Sequence, residues 1–154
     1  MTIKETAGKI LLVLYYLQIS EPMKLDQEQI LFQAANKPKL ETTSSRFKQQ
    51  LHEISSNDVQ LYNATLYLLE RGLIQSKTKM GVMGGLLILG PHVTYQGIDI
   101  VESVEQGEAS QKIVKSLFNF SFNFSPTMKV DSLLKAEVGN IVGMGGAISG
   151  KVEL

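Results

Sequence analysis

Apolar residues recur along the chain at two different periods, and the change of period divides it. Over residues 5–19, Ala7, Ile10, Leu11, Leu14 and Leu17 fall at helical spacing, with Val13 and Tyr16 widening the stripe, which predicts a mostly buried first helix. Pro22 punctuates. Residues 26–36 then read as a second helix with Ile30, Leu31, Ala34 and Ala35 inward, stopped before Pro38 because a residue preceding proline disfavours α geometry. Residues 37–45 are polar and read as a loop, and Phe47, Leu51 and Ile54 predict a short helix over 46–54. Ser55-Ser56-Asn57 supplies N-cap candidates, with Gln60 in capping-box register to Asn57. A strong helix is expected to follow, ending at Gly72, where left-handed geometry costs nothing. Its inward face is expected to be Val59, Tyr62, Leu66 and Leu69, thickened by Leu61 and Leu68. Residues 73–76 and 86–89 read as the strands of a hairpin around a glycine-containing turn over 77–85. Thr94 is expected to cap a helix over 95–104, with Ile98, Val101 and Glu102 marking its turns.

Past Gly107 the character changes. Residues 109–117 continue at helical spacing through Ile113, Val114 and Leu117, and then Phe118, Phe120, Phe122 and Phe124 alternate with Asn119, Ser121 and Asn123. Period-two alternation is a strand signal, ended here by Pro126, and four aromatics on one face demand a partner surface. Residues 130–141 read as a strand or short helix, and the glycines from Gly139 onward make a turn-rich end. The division expected is a domain over 1–107 and an interaction or oligomerisation segment over 108–154, in an α+β chain.

Composition narrows the function classes. At 154 residues the chain is long enough to bury one sizeable core, and its 44% hydrophobic and 19% charged residues suit a folded protein. Fifteen basic residues balance fifteen acidic ones, so no whole-molecule field draws the chain to nucleic acid or to an anionic membrane. Zero cysteines exclude disulfides, thiolate catalysis and cysteine-held zinc, and leave a cytoplasmic address as the expectation. With His52 and His92 as the two histidines, and Glu53 pointing away from its neighbour His52, no metal site is expected. The apolar run at 10–17 makes a poor secretory signal, because Glu5 interrupts its basic end and no small-residue cleavage site follows; no membrane span is expected either. Gly145-Gly146-Ala147-Ile148-Ser149-Gly150-Lys151-Val152 fits a phosphate-loop spacing, but Val152 stands where a Ser or Thr would bind magnesium and no helix is expected after it. Glu102, Glu105 and Glu108 form an acidic edge without a histidine, and no nucleophile-elbow pattern surrounds any serine. A catalytic role and a cofactor are therefore not expected.

Two segments carry a family resemblance. Asn63-Ala64-Thr65-Leu66-Tyr67-Leu68-Leu69-Glu70-Arg71-Gly72-Leu73-Ile74 resembles the end of a winged-helix recognition helix running into its first wing strand. Val93-Thr94-Tyr95-Gln96-Gly97-Ile98-Asp99-Ile100-Val101-Glu102 resembles the segment after the wing in many small bacterial and phage proteins of that type. The resemblance covers residues 5–105 and implies a winged helix-turn-helix domain that lays its recognition helix in the major groove and touches phosphates with the wing. Carried onto this chain, it implies groove contacts from Gln60, Asn63, Ala64, Tyr67 and Arg71, and phosphate contacts from Lys37, Lys39, Arg46, Lys48, Lys77 and Lys79. The electrostatics oppose it. Residues 1–79 hold ten Lys and Arg against eight Asp and Glu, residues 80–154 five against seven, and Asp58 and Glu70 bracket the helix.

The expected function is therefore non-catalytic DNA binding of a transcription-regulator type, with double-stranded DNA as partner. The alternative is a protein-interaction or oligomeric scaffold module on the same fold that leaves DNA alone. The alternating aromatics Phe118, Phe120, Phe122 and Phe124 either cover the core of their own chain or form the interface of a homo-dimer, which would also suit a two-fold operator.

Overall fold

The computed structural model describes residues 2–34, 36–80, 85–103 and 108–119, with the backbone alone for residues 78–80, 108 and 109. Among the described residues, six helices and two small antiparallel sheets make an α+β fold. Helix α1 (Ile3–Ser20) is opened by a capping box in which the Thr2 hydroxyl accepts from the Glu5 N–H while the Glu5 carboxylate accepts from the Thr2 N–H. Its residues from Thr6 to Leu17 are buried except Lys9, so it is hydrophobic nearly all round and forms the axis of the core. The short helix α2 (Pro22–Asp26), the later helices α3 (Ser45–Ile54), α4 (Asp58–Glu70), α5 (Tyr95–Glu102) and α6 (Glu108–Phe118), and strand β6 (His92–Val93) all pack against it.

The helix expected over 26–36 is absent. Pro22 sits in the first turn of α2, where its fixed φ and missing N–H suit a helix start, and α2 ends at Asp26. The chain then extends into β1 (Gln29–Phe32) and returns as β2 (Leu40–Thr42), inside the segment expected to be loop. Ile30 and Phe32 point inward while Leu31 is half-buried, a period of two that three consecutive apolar residues cannot reveal in the sequence. Ala35 lies outside the described residues. Long-range pairing decides the matter: β1 lies against β5 (Leu86–Leu89) with Ile30 opposite Ile88 and Phe32 opposite Leu86. A buried carboxylate fixes the turn from β2 into α3. Glu28 Oε1 accepts from the N–H groups of Thr43 at 2.6 Å, Ser44 at 3.1 Å and Gln29 at 3.2 Å, and Oε2 accepts from the Ser44 hydroxyl at 2.7 Å. That hydroxyl in turn accepts from the Phe47 N–H and so caps α3.

Helix α4 starts on Asn57, as expected, but is rotated from its expected setting. Its buried residues are Leu61, Ala64, Thr65 and Leu68, whereas Val59 is 49% exposed and Tyr62, Leu66 and Leu69 are half-buried. Small residues at 64 and 65 let α4 lie close on α1, and the Thr65 hydroxyl is satisfied by donating to the Leu61 carbonyl oxygen at 2.8 Å. The helix ends in a Schellman motif: Gly72, at φ +70°, donates to Leu69 and Leu73 donates to Leu68, with Leu68 and Leu73 both buried.

The hairpin is also displaced from its expected register. Strand β5 pairs with β4 (Thr78–Met80), inside the expected turn, and the first strand, β3 (Ile74–Gln75), pairs instead with β6. Ser76 makes the switch, since its hydroxyl donates to the Leu89 carbonyl and accepts from the Leu89 N–H between the two ladders. Residues 81–84 lie outside the described residues. The larger sheet runs β2-β1-β5-β4. On β6, the Gln18 side-chain amide of α1 accepts from the Val93 N–H at 2.6 Å and donates to the Val93 carbonyl.

Thr94 caps α5 as expected, accepting from the Gly97 N–H. The two segments that carry the family resemblance meet here. Thr94 donates through its hydroxyl to the Gly72 carbonyl and through its N–H to Leu73, and a Cβ on Gly97 would collide with the Leu73 carbonyl oxygen and Val93 Cγ1. Helix α6 follows near its expected bounds, but Phe118 is its last residue and not the first of a strand. Phe118 is fully buried, as is Val114, because α6 needs both to close over α1; Asn119, at φ +63°, then donates to the Lys115 carbonyl and ends the helix. Phe120, Phe122 and Phe124 lie outside the described residues.

Phe118→Ala is expected to lower stability by about 3–5 kcal/mol, whereas Ile113→Ala, on the open side of α6, changes it by less than about 0.5 kcal/mol, both read from urea denaturation. A second expectation concerns the tie between α1 and α5, where the Tyr15 hydroxyl donates to Glu102 Oε2 at 2.6 Å. Burial, reinforced by that carboxylate, raises the Tyr15 pKa well above the ordinary phenol value. Tyr15 therefore ionises more readily in the unfolded chain, so its contribution to stability is intact below about pH 10 and declines above it. Tyr15→Phe is expected to flatten that decline when unfolding is measured at about pH 9 and about pH 11.

Candidate functional site

The face expected to contact DNA is built on α3 and α4, joined by three residues, with the paired strands β4 and β5 in the place of the wing. Rotation of α4 redistributes its expected contacts. Ala64 is fully buried against the core. Gln60 leans onto α1, donating to the Thr6 hydroxyl at 3.1 Å. Tyr67 is covered by α6: its hydroxyl donates to the Leu117 carbonyl at 2.8 Å, and its ring lies 6.4 Å from that of Phe118. Arg71 is exposed, with its guanidinium carbon 4.7 Å from the Tyr67 ring centroid, a cation–π arrangement. Asn63 remains half-exposed. By helical periodicity the outward centre of α4, opposite Leu61, Thr65 and Leu68, is Val59, Asn63, Leu66 and Glu70, without a cation. Tyr62 borders this face and packs edge-on against Phe32 at 5.3 Å.

Three of the basic residues around this face stand next to acids. Arg46 lies 3.4 Å from Glu21, Lys48 lies 3.4 Å from Glu41, and Lys77 lies 3.0 Å from Asp26. Such exposed pairs are individually weak, and a phosphate could compete for any of them. Their effect on the field is larger, because each acid cancels the local positive potential from which phosphate attraction is built. Lys37 and Lys39 are exposed on the loop between β1 and β2, and Lys79 lies on β4 with its side chain outside the described residues. Asp58, which the sequence marks as unfavourable to DNA, has a structural use: its carboxylate lies 2.7 Å from His52 Nε2 and accepts from the Leu40 N–H at 3.0 Å. It thereby ties β2 and the end of α3 to the start of α4.

Other chemistry is sparse. Among the described residues no three His, Cys, Asp or Glu side chains gather as metal ligands, and no helix is long and apolar enough to cross a membrane. His92 Nδ1 lies 3.2 Å from the Gly90 carbonyl oxygen, on the turn into β6. The residue that sequence reasoning missed is Glu28, whose burial follows from the β1 pairing and has no local signature. The chain matches no family model, no curated protein and no solved structure.

Tyr67→Phe is expected to cost about 1 kcal/mol by removing the bond to Leu117, and Asn63→Ala less than about 0.5 kcal/mol, in parallel urea titrations.

Proposed function

We propose that the chain is a non-catalytic winged-helix protein that uses the outward face of α4 to contact another protein surface. Two features support the fold. One is the chain order of α1, β1, α3, α4 and then the β4–β5 hairpin; the other is the sheet order in which β1 closes against β5 of that hairpin. The function rests on one observation, the composition of the outward face of α4. Val59 is exposed, half-buried Leu66 and the bordering Tyr62 and Leu69 show only the margins of side chains packed on the core, Glu70 adds a negative charge, and no cation lies at the centre. An apolar strip with an acidic end suits a protein partner and repels a phosphate backbone. A second copy of this chain is the first partner to test.

DNA binding is the second reading. It is favoured by the helix-turn-helix order itself, by exposed Lys37, Lys39 and Arg71 at the margins, and by half-exposed Asn63, whose amide suits adenine.

Fluorescence anisotropy of a labelled random duplex separates the two. The expected result is no binding even at low salt; binding that weakens steeply with added salt would replace the protein-contact reading with the DNA one. In sedimentation velocity the chain is expected to self-associate with rising concentration, and Val59→Asp to weaken that association while leaving the thermal unfolding midpoint within a few degrees.

A further inference from the structure

A second group of polar side chains lies away from the outward face of α4. Between the end of α1, helix α2 and the start of α3 is a cavity of about 320 Å³, at the small end of the range that holds small molecules. Leu17, Leu25 and Phe47 form its apolar walls, and each is at least nine-tenths buried. Glu28 lines it from within at 8% exposure, while Lys24 and Arg46 line it from more exposed positions.

The hydrogen bonds of Glu28 determine what the cavity can take. A carboxylate offers about four lone-pair positions, two on each oxygen. Oε1 receives three N–H groups, more than its two positions hold singly, whereas Oε2 receives the Ser44 hydroxyl and, among the described residues, no second donor. Among the described residues no cation lies within ion-pair distance of Glu28; Arg46 is turned to Glu21 at 3.4 Å. The first N–H groups of the turn into α3, which could otherwise hold an anion, are taken by the same carboxylate. The lining carries two charges of each sign, but Arg46 is paired with Glu21 and Lys24 is exposed, so at the buried end an anion would meet Glu28 and find those donors occupied. A cation with an apolar body would supply the missing donor and cover the three apolar walls.

We propose that this cavity is a binding site for a small primary amine with a branched aliphatic or aromatic body, its ammonium donating to Glu28 Oε2. The site is independent of the reading given to α4.

The test is a titration of the full ¹⁵N-labelled chain followed by amide shifts. The probes are isoamylamine, with isopentanol and isovalerate as neutral and anionic partners of the same shape. Isoamylamine is expected to shift the amides of Thr43, Ser44 and Phe47 saturably, isopentanol to bind about tenfold more weakly or less, and isovalerate not to bind, since one charge-assisted hydrogen bond is worth about that factor. Glu28→Gln keeps the shape, removes the charge and is expected to weaken the amine by about tenfold. Should that variant fail to fold, Gln50→Trp narrows the cavity without touching the Glu28 hydrogen bonds and is expected to weaken the amine as well. Absence of a saturable amine shift, equal binding of the three probes, or amine binding unchanged in the variant that folds would overturn the proposal.

Discussion

The fold depends on the desolvation of α1. A helix with eleven of its eighteen residues buried cannot rest on one partner and needs a wall on nearly every side. Helices α3, α4, α5 and α6 and strand β6 are those walls, and the sheets enter through the apolar residues they add to the same cluster. The few polar groups on α1 are managed accordingly. The Thr6 hydroxyl donates to the Thr2 carbonyl while receiving Gln60, and burial lowers the pKa of Lys9, with Glu5 opposing the shift.

Around that axis the strands are two to four residues long, too short to hold their register by backbone ladders alone. Side chains take over the missing hydrogen bonds. Glu28 gathers the turn from β2 into α3, Asp58 ties β2 to α4, Ser76 joins the chain between β3 and β4 to β5, and Thr94 links α5 to the end of α4. Each joins segments distant in sequence, so the fold is specified by polar residues at its corners as much as by its apolar interior.

Those corners also mark the limit of what the sequence reveals. Helices with strong local signals were legible to within a few residues: α1 from its apolar run, α3 from Phe47, Leu51 and Ile54, α4 from Asn57 and Gly72, and α5 from Thr94. β1 was not, because Ile30-Leu31-Phe32 carries no period and its state is set by β5 more than fifty residues away. The face of α4 was not, because apolar residues lie on both of its sides and contact with α1 chooses between them. The site residues share that fate: Asn63 and Arg71 lie at the surface, whereas Gln60, Ala64 and Tyr67, suitable by type or position, turn toward α1 and α6. Phe118 was misread because the alternation that begins with it overlaps the last turn of a helix.

The Gln18 amide on Val93 has a consequence beyond anchoring. One amide presents the same acceptor and donor as a peptide group, so α1 furnishes β6 with a single-residue substitute for a neighbouring strand. The N–H and C=O of Val93 that face away from β3 are thereby consumed within the molecule. A foreign strand approaching that margin would have to displace the glutamine before forming its first bond. The β6 margin of the ribbon is thus shielded from edge-to-edge pairing at Val93 by a side chain.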